Sequence, residues 1–366
     1  MTKFSILDLV PITEGSDANT ALARSRELII LAETLGYTRY WVAEHHNMPG
    51  IASSATAVVI SHLAGATTSI RVGSGGIMLP NHAPLVVAEQ FGTLASLFPG
   101  RIDLGLGRAP GTDGLTMQAL RRSLDSNVED FPRDVVELQH YLKPIQSGQR
   151  VVATPGAGTE VPIWILGSSL FGAQLAALLG MPFAFASHFA PAYLDTAIRM
   201  YRENFKPSDT LREPHVMIGA NLCIAETDEE AQFLRSSALQ SFVNLRRGQP
   251  GPLPPPIQDF EQQLNPGERQ MMQDIGQVSA VGSPETAKQS IESILQRTGA
   301  DELMFVSAIW DHEKRLESYT QGASIMAQLN AEAAAAPTRP SSSSPASLTS
   351  SNRRRSLKRT ARASAP

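Results

Sequence analysis

Residues 161–194 read VPIWILGSSLFGAQLAALLGMPFAFASHFAPAYL and contain no Asp, Glu, Lys or Arg. A run of that length raises the question of a transmembrane helix. Pro162, Gly167-Ser168-Ser169, Gln174, Gly180 and Pro182 punctuate it, so it reads instead as strand, turn, helix, turn, strand, all buried inside a protein. Working outward, the same alternation recurs. Apolar runs rich in β-branched and aromatic residues lie near 3–10, 39–45, 70–79, 101–107, 162–167, 182–187, 215–225 and 302–310. Helical segments fit near 17–35, 52–68, 84–97, 126–146, 170–180, 191–205, 228–246, 284–297 and 312–331, with Asp17, Asp228 and Ser283-Pro284-Glu285 as capping signals. Strands alternating with helices give a parallel sheet, and eight of them close a (β/α)8 barrel, the TIM-barrel fold of the α/β class.

The composition agrees with one large globular body. Of 366 residues, 42% are apolar and 18% charged, which excludes disordered and fibrous classes. A lone cysteine, Cys223, excludes an intrachain disulfide framework and suits a cytoplasmic protein. Asp8 interrupts the N-terminal apolar residues before they could form a signal peptide. The net charge of −4 hides an asymmetry: of 31 basic residues, seven fall in residues 333–366, where no acidic residue occurs, leaving residues 1–332 with 24 against 35 and a net −11. The barrel domain is therefore expected over 1–332. The Ala, Ser, Pro and Arg segment 333–366 is expected to be a disordered basic tail with nothing to bury, and nucleic-acid or membrane contact is the less favoured reading of its charge. Long connections after the fourth and seventh strands, roughly 108–161 and 226–301, are insertions. The second holds GQPGPLPPP (248–256), which cannot be helix interior and reads as an exposed excursion over one mouth of the barrel.

In such a barrel the chemistry sits where strands end. The second strand ends Glu44-His45-His46, the third passes through Gly73-Ser74-Gly75-Gly76, the fourth ends Gly105-Leu106-Gly107-Arg108, the fifth Gly167-Ser168-Ser169 and the sixth Ser187-His188. Small residues leave room for a flat ligand. Arg108 and the helix start at Ser168-Ser169 offer charge and N–H groups to an anion such as phosphate.

Three of these segments, GYTRYWVAEHH (36–46), RVGSGGIMLP (71–80) and PGRIDLGLGR (99–108), together resemble the bacterial luciferase-like family of flavin-dependent monooxygenases, a (β/α)8 family, over most of residues 3–330. The resemblance implies that His45 is the catalytic histidine, facing the reactive edge of the flavin and acting in proton transfer. His46 is the alternative, and strand alternation favours His45. Glu44 joins the cofactor-binding set. Gly75-Gly76 matches the place where the family's backbone meets the isoalloxazine through an unusual peptide bond; a β-bulge is the plain structural reading. Arg108, Gly167, Ser168 and Ser169 are implied to hold ribityl or phosphate oxygens, against readings as a surface ion pair and a helix cap. His188 stands evenly between cofactor contact and buried core residue. Two departures matter. Gly107 stands where luciferase has a reactive cysteine, and Ala83 follows His82 where luciferase has a histidine, so light emission and long-chain aldehyde chemistry are not carried over.

By this resemblance, reduced FMN reacts with O2 to a hydroperoxide at flavin carbon 4a, which oxygenates a small organic substrate. With no dinucleotide fingerprint in the chain, a separate flavin reductase is the expected functional partner. The competing cofactor is F420, with hydride transfer on the same fold; a non-catalytic flavin-binding protein is a further alternative. A metal-dependent hydrolase needs carboxylates and histidines converging from several strands, so no metal site is expected. Residues 51–70 lack any formally charged side chain, and a homodimer through the second and third helices would cover them.

Overall fold

A computed structural model of the chain describes residues 1–109, 114–120 and 128–335. Nine parallel strands alternate with helices: β1 Lys3–Asp8, α1 Ala18–Thr34, β2 Arg39–Val42, α2 Thr56–Ala64, β3 Arg71–Met78, α3 Pro84–Leu97, β4 Ile102–Gly107, α4 Gly114–Leu120, α5 Phe131–Leu142, β5 Ile163–Gly167, α6 Leu170–Leu179, β6 Phe183–Phe185, α7 Leu194–Asn204, β7 Val216–Ile224, α8 Asp228–Arg246, α9 Pro266–Gly276, β8 Ser279–Gly282, α10 Pro284–Thr298, β9 Glu302–Val306 and α11 His312–Ala335. Eight of the strands close on themselves in the order β1-β2-β3-β4-β5-β6-β7-β9, with β9 returning to β1. This is the (β/α)8 barrel that the alternation predicts. Residues Met1–Ala334 form one compact unit. No helix among the described residues is long and apolar enough to cross a membrane.

The ninth strand departs from the sequence reading. Barrel strand β7 pairs through its first half with β6 and β9, and its second half, Asn221–Ile224, runs on and pairs with Ser279–Gly282. The insertion after β7 is therefore more ordered than a proline-rich excursion: α9 opens with a capping box of Asn265 and Glu268 around Pro266. The cap of α8 is also reassigned. Thr227, not Asp228, accepts the N–H of Glu230, while Asp228 accepts from the Ser283 N–H at 2.6 Å and the Thr286 hydroxyl at 3.0 Å, joining the starts of α8 and α10. Asp17 and Ser283 cap α1 and α10 as read from the sequence. The final helix continues to Ala335, three residues into the expected tail, and the remainder of that tail, 336–366, lies outside the described residues.

Two apolar layers follow from the period-two alternation of the strands. Phe4, Ile6, Tyr40, Val42, Val72, Ile102, Leu104 and Leu106 face outward into the layer shared with the helices. Leu7, Trp41, Trp164, Ala184, Met217 and Met304, each from a different strand, fill the barrel interior. Trp41 and Trp164 meet edge to face at 5.3 Å between ring centres. The barrel axis is thus solid, and a ligand is left only its two ends.

Candidate active site

The β4 and β5 ends come together around one aromatic ring. Arg108, directly after β4, lies with its guanidinium 4.1 Å from the centre of Phe171, the second residue of α6. No carboxylate among the described residues lies within 4.0 Å of Arg108. Ser168 and Ser169 stand between β5, which ends at Gly167, and the first turn of α6. Ser169 occupies the N-cap in extended conformation, yet its side chain makes no capping hydrogen bond. A guanidinium therefore lies against the first turn of the helix that Ser168 and Ser169 lead into, a combination suited to an anion.

One strand further along the sheet, β3 carries a cis peptide between Gly75 and Gly76. The pairing with β4 slips by one position between Ser74 and Ile77, so a bulge is present at the same place. Glycine is required here by the protein itself. A Cβ on Gly75 would lie 2.6 Å from Leu7 Cδ1, and one on Gly76 2.6 Å from the Gly105 carbonyl oxygen.

Glu44, His45 and His46 lie just beyond the end of β2 at Val42, so strand alternation does not extend to them and does not separate the two histidines. Glu44 is 1% exposed and its carboxylate is occupied by protein donors. His46 Nε2 and His82 Nε2 both lie 2.7 Å from Oε1, and the Met78 N–H donates to Oε2 at 3.0 Å. Burial pushes this carboxyl up, but the hydrogen bond and charge of His82, followed by the His46 and Met78 hydrogen bonds, outweigh it and hold Glu44 below the usual carboxylate range. The sequence reading placed Glu44 against the cofactor; the structure places it under two imidazoles. The fold also adds His82, which sequence reasoning noted only as a departure. One ligand atom from each of Glu44, His46 and His82 lies within 4.8 Å of the others, a spacing a metal ion could bridge. The 2.7 Å separations are those of hydrogen bonds between the groups themselves.

His45 is half-buried, and its carbonyl accepts the Ser54 hydroxyl at 2.7 Å, fixing the backbone after β2. His188, beyond β6, is brought near enough for its charge to be felt: burial first, and then the His45 ring, push the His188 imidazole down to about 4. His188 is therefore neutral at physiological pH. Its Nδ1 is buried without a hydrogen-bond partner among the described residues. The Nδ1 edge of the ring points at β7, since a Cβ on Gly219 would lie 2.2 Å from that nitrogen and 3.1 Å from Cε1 and Cγ. The Asn221 amide donates to the His188 carbonyl at 2.9 Å. Cys223, further along β7, is buried and its thiol is pushed up to about 12 by that burial, which leaves it unreactive.

Comparison with known proteins places these residues in a family. The family model for luciferase-like monooxygenases matches residues 2–302. A luciferase-like monooxygenase of Escherichia coli strain K12 is 52% identical over 326 residues, 89% of this chain and 97% of the relative. The N-acetyl-S-alkylcysteine monooxygenase of Bacillus subtilis strain 168 is 37% identical over 63% of this chain and 70% of its own. Among solved structures, that of apo-MsnO8 superposes with a TM-score of 0.82 at 35% identity, covering 89% of this chain and 99% of that one. A closed barrel with its open polar groups gathered at the strand ends, and near-complete alignment with these relatives, lead to one conclusion: the chain belongs to the luciferase-like monooxygenase family.

Proposed function

We propose that the protein is a flavin-dependent monooxygenase that uses reduced FMN and O2 to oxygenate a small organic substrate. The observation that carries this reading is Arg108 seated on Phe171 in the first turn of α6, the helix that Ser168 and Ser169 lead into, with no acidic partner for Arg108 among the described residues and no capping bond from Ser169. These groups fit the phosphate of FMN: charge-assisted donors from a guanidinium and a helix start are what a phosphate dianion requires. The bulged Gly75-Gly76 backbone then lies on the strand beside, where side-chain-free peptide can meet a flat ring. When bound, the reduced flavin supplies the electrons that activate O2.

The protein's own contribution is positioning and proton control. His45 holds or passes a proton at the edge of the site. His188, kept neutral by burial, places no positive charge there. Glu44, through His46 and His82, fixes the loop that carries His45 rather than touching the ligand. The Bacillus subtilis relative named for N-acetyl-S-alkylcysteine supports a small organic substrate.

The test is anaerobic titration of the purified chain with reduced FMN, then mixing with air while following flavin fluorescence and oxygen. The expected result is saturable binding and oxygen uptake kinetics different from those of free reduced FMN. Failure to bind, or oxygen uptake identical to free flavin, overturns the reading, and preferential binding of reduced F420 with hydride transfer establishes the competing cofactor. A separate flavin reductase would supply the cofactor. We further propose a homodimer through α2 and α3, supported by Val58 and Val86, 70% and 45% exposed on those helices; a concentration-independent monomer in sedimentation would overturn it.

A further inference from the structure

The insertion after β7 helps to line a cavity of about 80 Å³ that also has His188 in its wall. That is room for about half a dozen water-sized groups. Its walls are mainly apolar, with Leu239 and Phe242 from α8, Met272 from α9 and Ile309 from beyond β9. Into this wall α8 also places Arg235.

Arg235 is an unusual occupant. It is half-buried, and its neighbours among the described residues do little for its charge: Nη1 lies 3.5 Å from the Gln232 amide oxygen, at the limit of a hydrogen bond. Arg108 apart, the other half-buried or buried arginines among the described residues are matched. Arg39 and Arg71 meet Asp103, Arg315 meets Asp8, and Arg101 and Arg202 donate to backbone carbonyls. No carboxylate among the described residues lies within 4.0 Å of Arg235. Burial draws its pKa down, and the exposed Glu261 opposes that only at longer range. A guanidinium set among Leu, Phe, Met and Ile without a counter-charge is costly unless a ligand completes it.

We propose that this cavity is a substrate subsite for a short apolar chain ending in a carboxylate, with Arg235 as the specificity-determining residue. The inference rests on the monooxygenase reading for what happens to the substrate, but not for its binding. Apolar walls accept the chain, Arg235 takes the carboxylate through two parallel N–H donors, and the far end of the ligand faces His188.

The test uses three probes of one length, pentanoate, pentanamide and pentylamine, titrated into the purified full-length chain by calorimetry or ligand-observed NMR. Pentanoate is expected to bind roughly tenfold or more tighter than pentanamide, with pentylamine weakest. Arg235→Gln is expected to erase the preference for the acid. Leu239→Trp, which fills the cavity from the next turn of α8, is expected to abolish pentanoate binding. Equal affinity for the three probes, no binding by any, or an acid preference that survives Arg235→Gln overturns the proposal. Reduced-FMN binding and oxygen uptake are measured on the same preparation. Acid discrimination without flavin-dependent oxygen uptake refutes the oxygenase reading alone, and the reverse refutes the subsite alone.

Discussion

At the N-terminal end of the barrel Arg39 reaches Asp103 at 2.7 Å and Glu302 at 2.9 Å, Arg71 joins the other oxygen of Asp103, and Ser5 donates to Glu302. At the C-terminal end Arg108 rests on Phe171, Arg235 reaches toward Gln232, and His188 Nδ1 is buried without a partner among the described residues. Arginines at the N-terminal end are consumed by carboxylates; at the C-terminal end Arg315 is likewise closed on Asp8 at 2.8 Å, but Arg108 and Arg235 are left open. Burial draws the Arg39 guanidinium down, yet Asp103 and Glu302 raise it above its ordinary value. Burial likewise pushes Glu302 up, yet the His215 hydrogen bond and the Arg39 charge bring it below. The difference separates the two tasks of the scaffold: closed charge networks hold the barrel together, while open ones are what a ligand can complete.

The largest effect is expected at the closed end. Arg39→Met leaves Glu302 and half of Asp103 without their counter-charge inside the barrel, and should cost about 3–5 kcal/mol in urea unfolding. A loss below about 1 kcal/mol would mean the network is not what holds that end.

Gly219→Ala comes next. The new methyl meets His188 at 2.2 Å and should cost about 1–3 kcal/mol as the ring is driven off β7. The His188 signal in NMR should move with it; an unchanged signal would break the assignment of that contact.

The pH response follows from the same residue. The folded His188 pKa lies near 4, below its ordinary 6.5, so the unfolded chain binds the proton first as pH falls. Its contribution to stability is complete above pH 6.5 and is lost as pH drops toward 4. His188→Gln should flatten that part of the stability–pH curve, and an unaltered curve would show that His188 titrates normally.

At the open end, Arg108→Gln should leave unfolding free energy within about 0.5 kcal/mol while weakening FMN roughly tenfold or more. Equilibrium dialysis decides it; a stability loss without an affinity loss would move Arg108 to the structural side of the comparison. The smallest effect is expected for Ser168→Ala, a few-fold weaker FMN binding with no change in stability, because this hydroxyl makes no hydrogen bond among the described residues.

The differences between sequence and structure share a cause. The strand β8, SAVG at 279–282, is too short to show a period, and it exists because β7 runs past the barrel and offers a free edge. Alternation could not choose between His45 and His46, since both lie past the strand; what separates them is Glu44, which takes His46 and not His45 at 2.7 Å. Helix-cap chemistry suggested that Ser169 caps α6, but its side chain makes no such bond. Gly219 and Arg235 carried no local signal, and His82 was noted without a role, because each matters through a residue distant in the chain.

Read alone, the sequence determined the strand and helix alternation, the eightfold closure, the family and the strand ends at which polar groups would gather, because these depend on periodicity, turn residues and short motifs. Tertiary structure decided which of those groups are already satisfied. Whether an arginine has a carboxylate within reach depends on distances across the barrel, from Arg39 to Glu302 over 263 positions, and that pairing distinguishes a residue that stabilises the fold from one left open for a ligand.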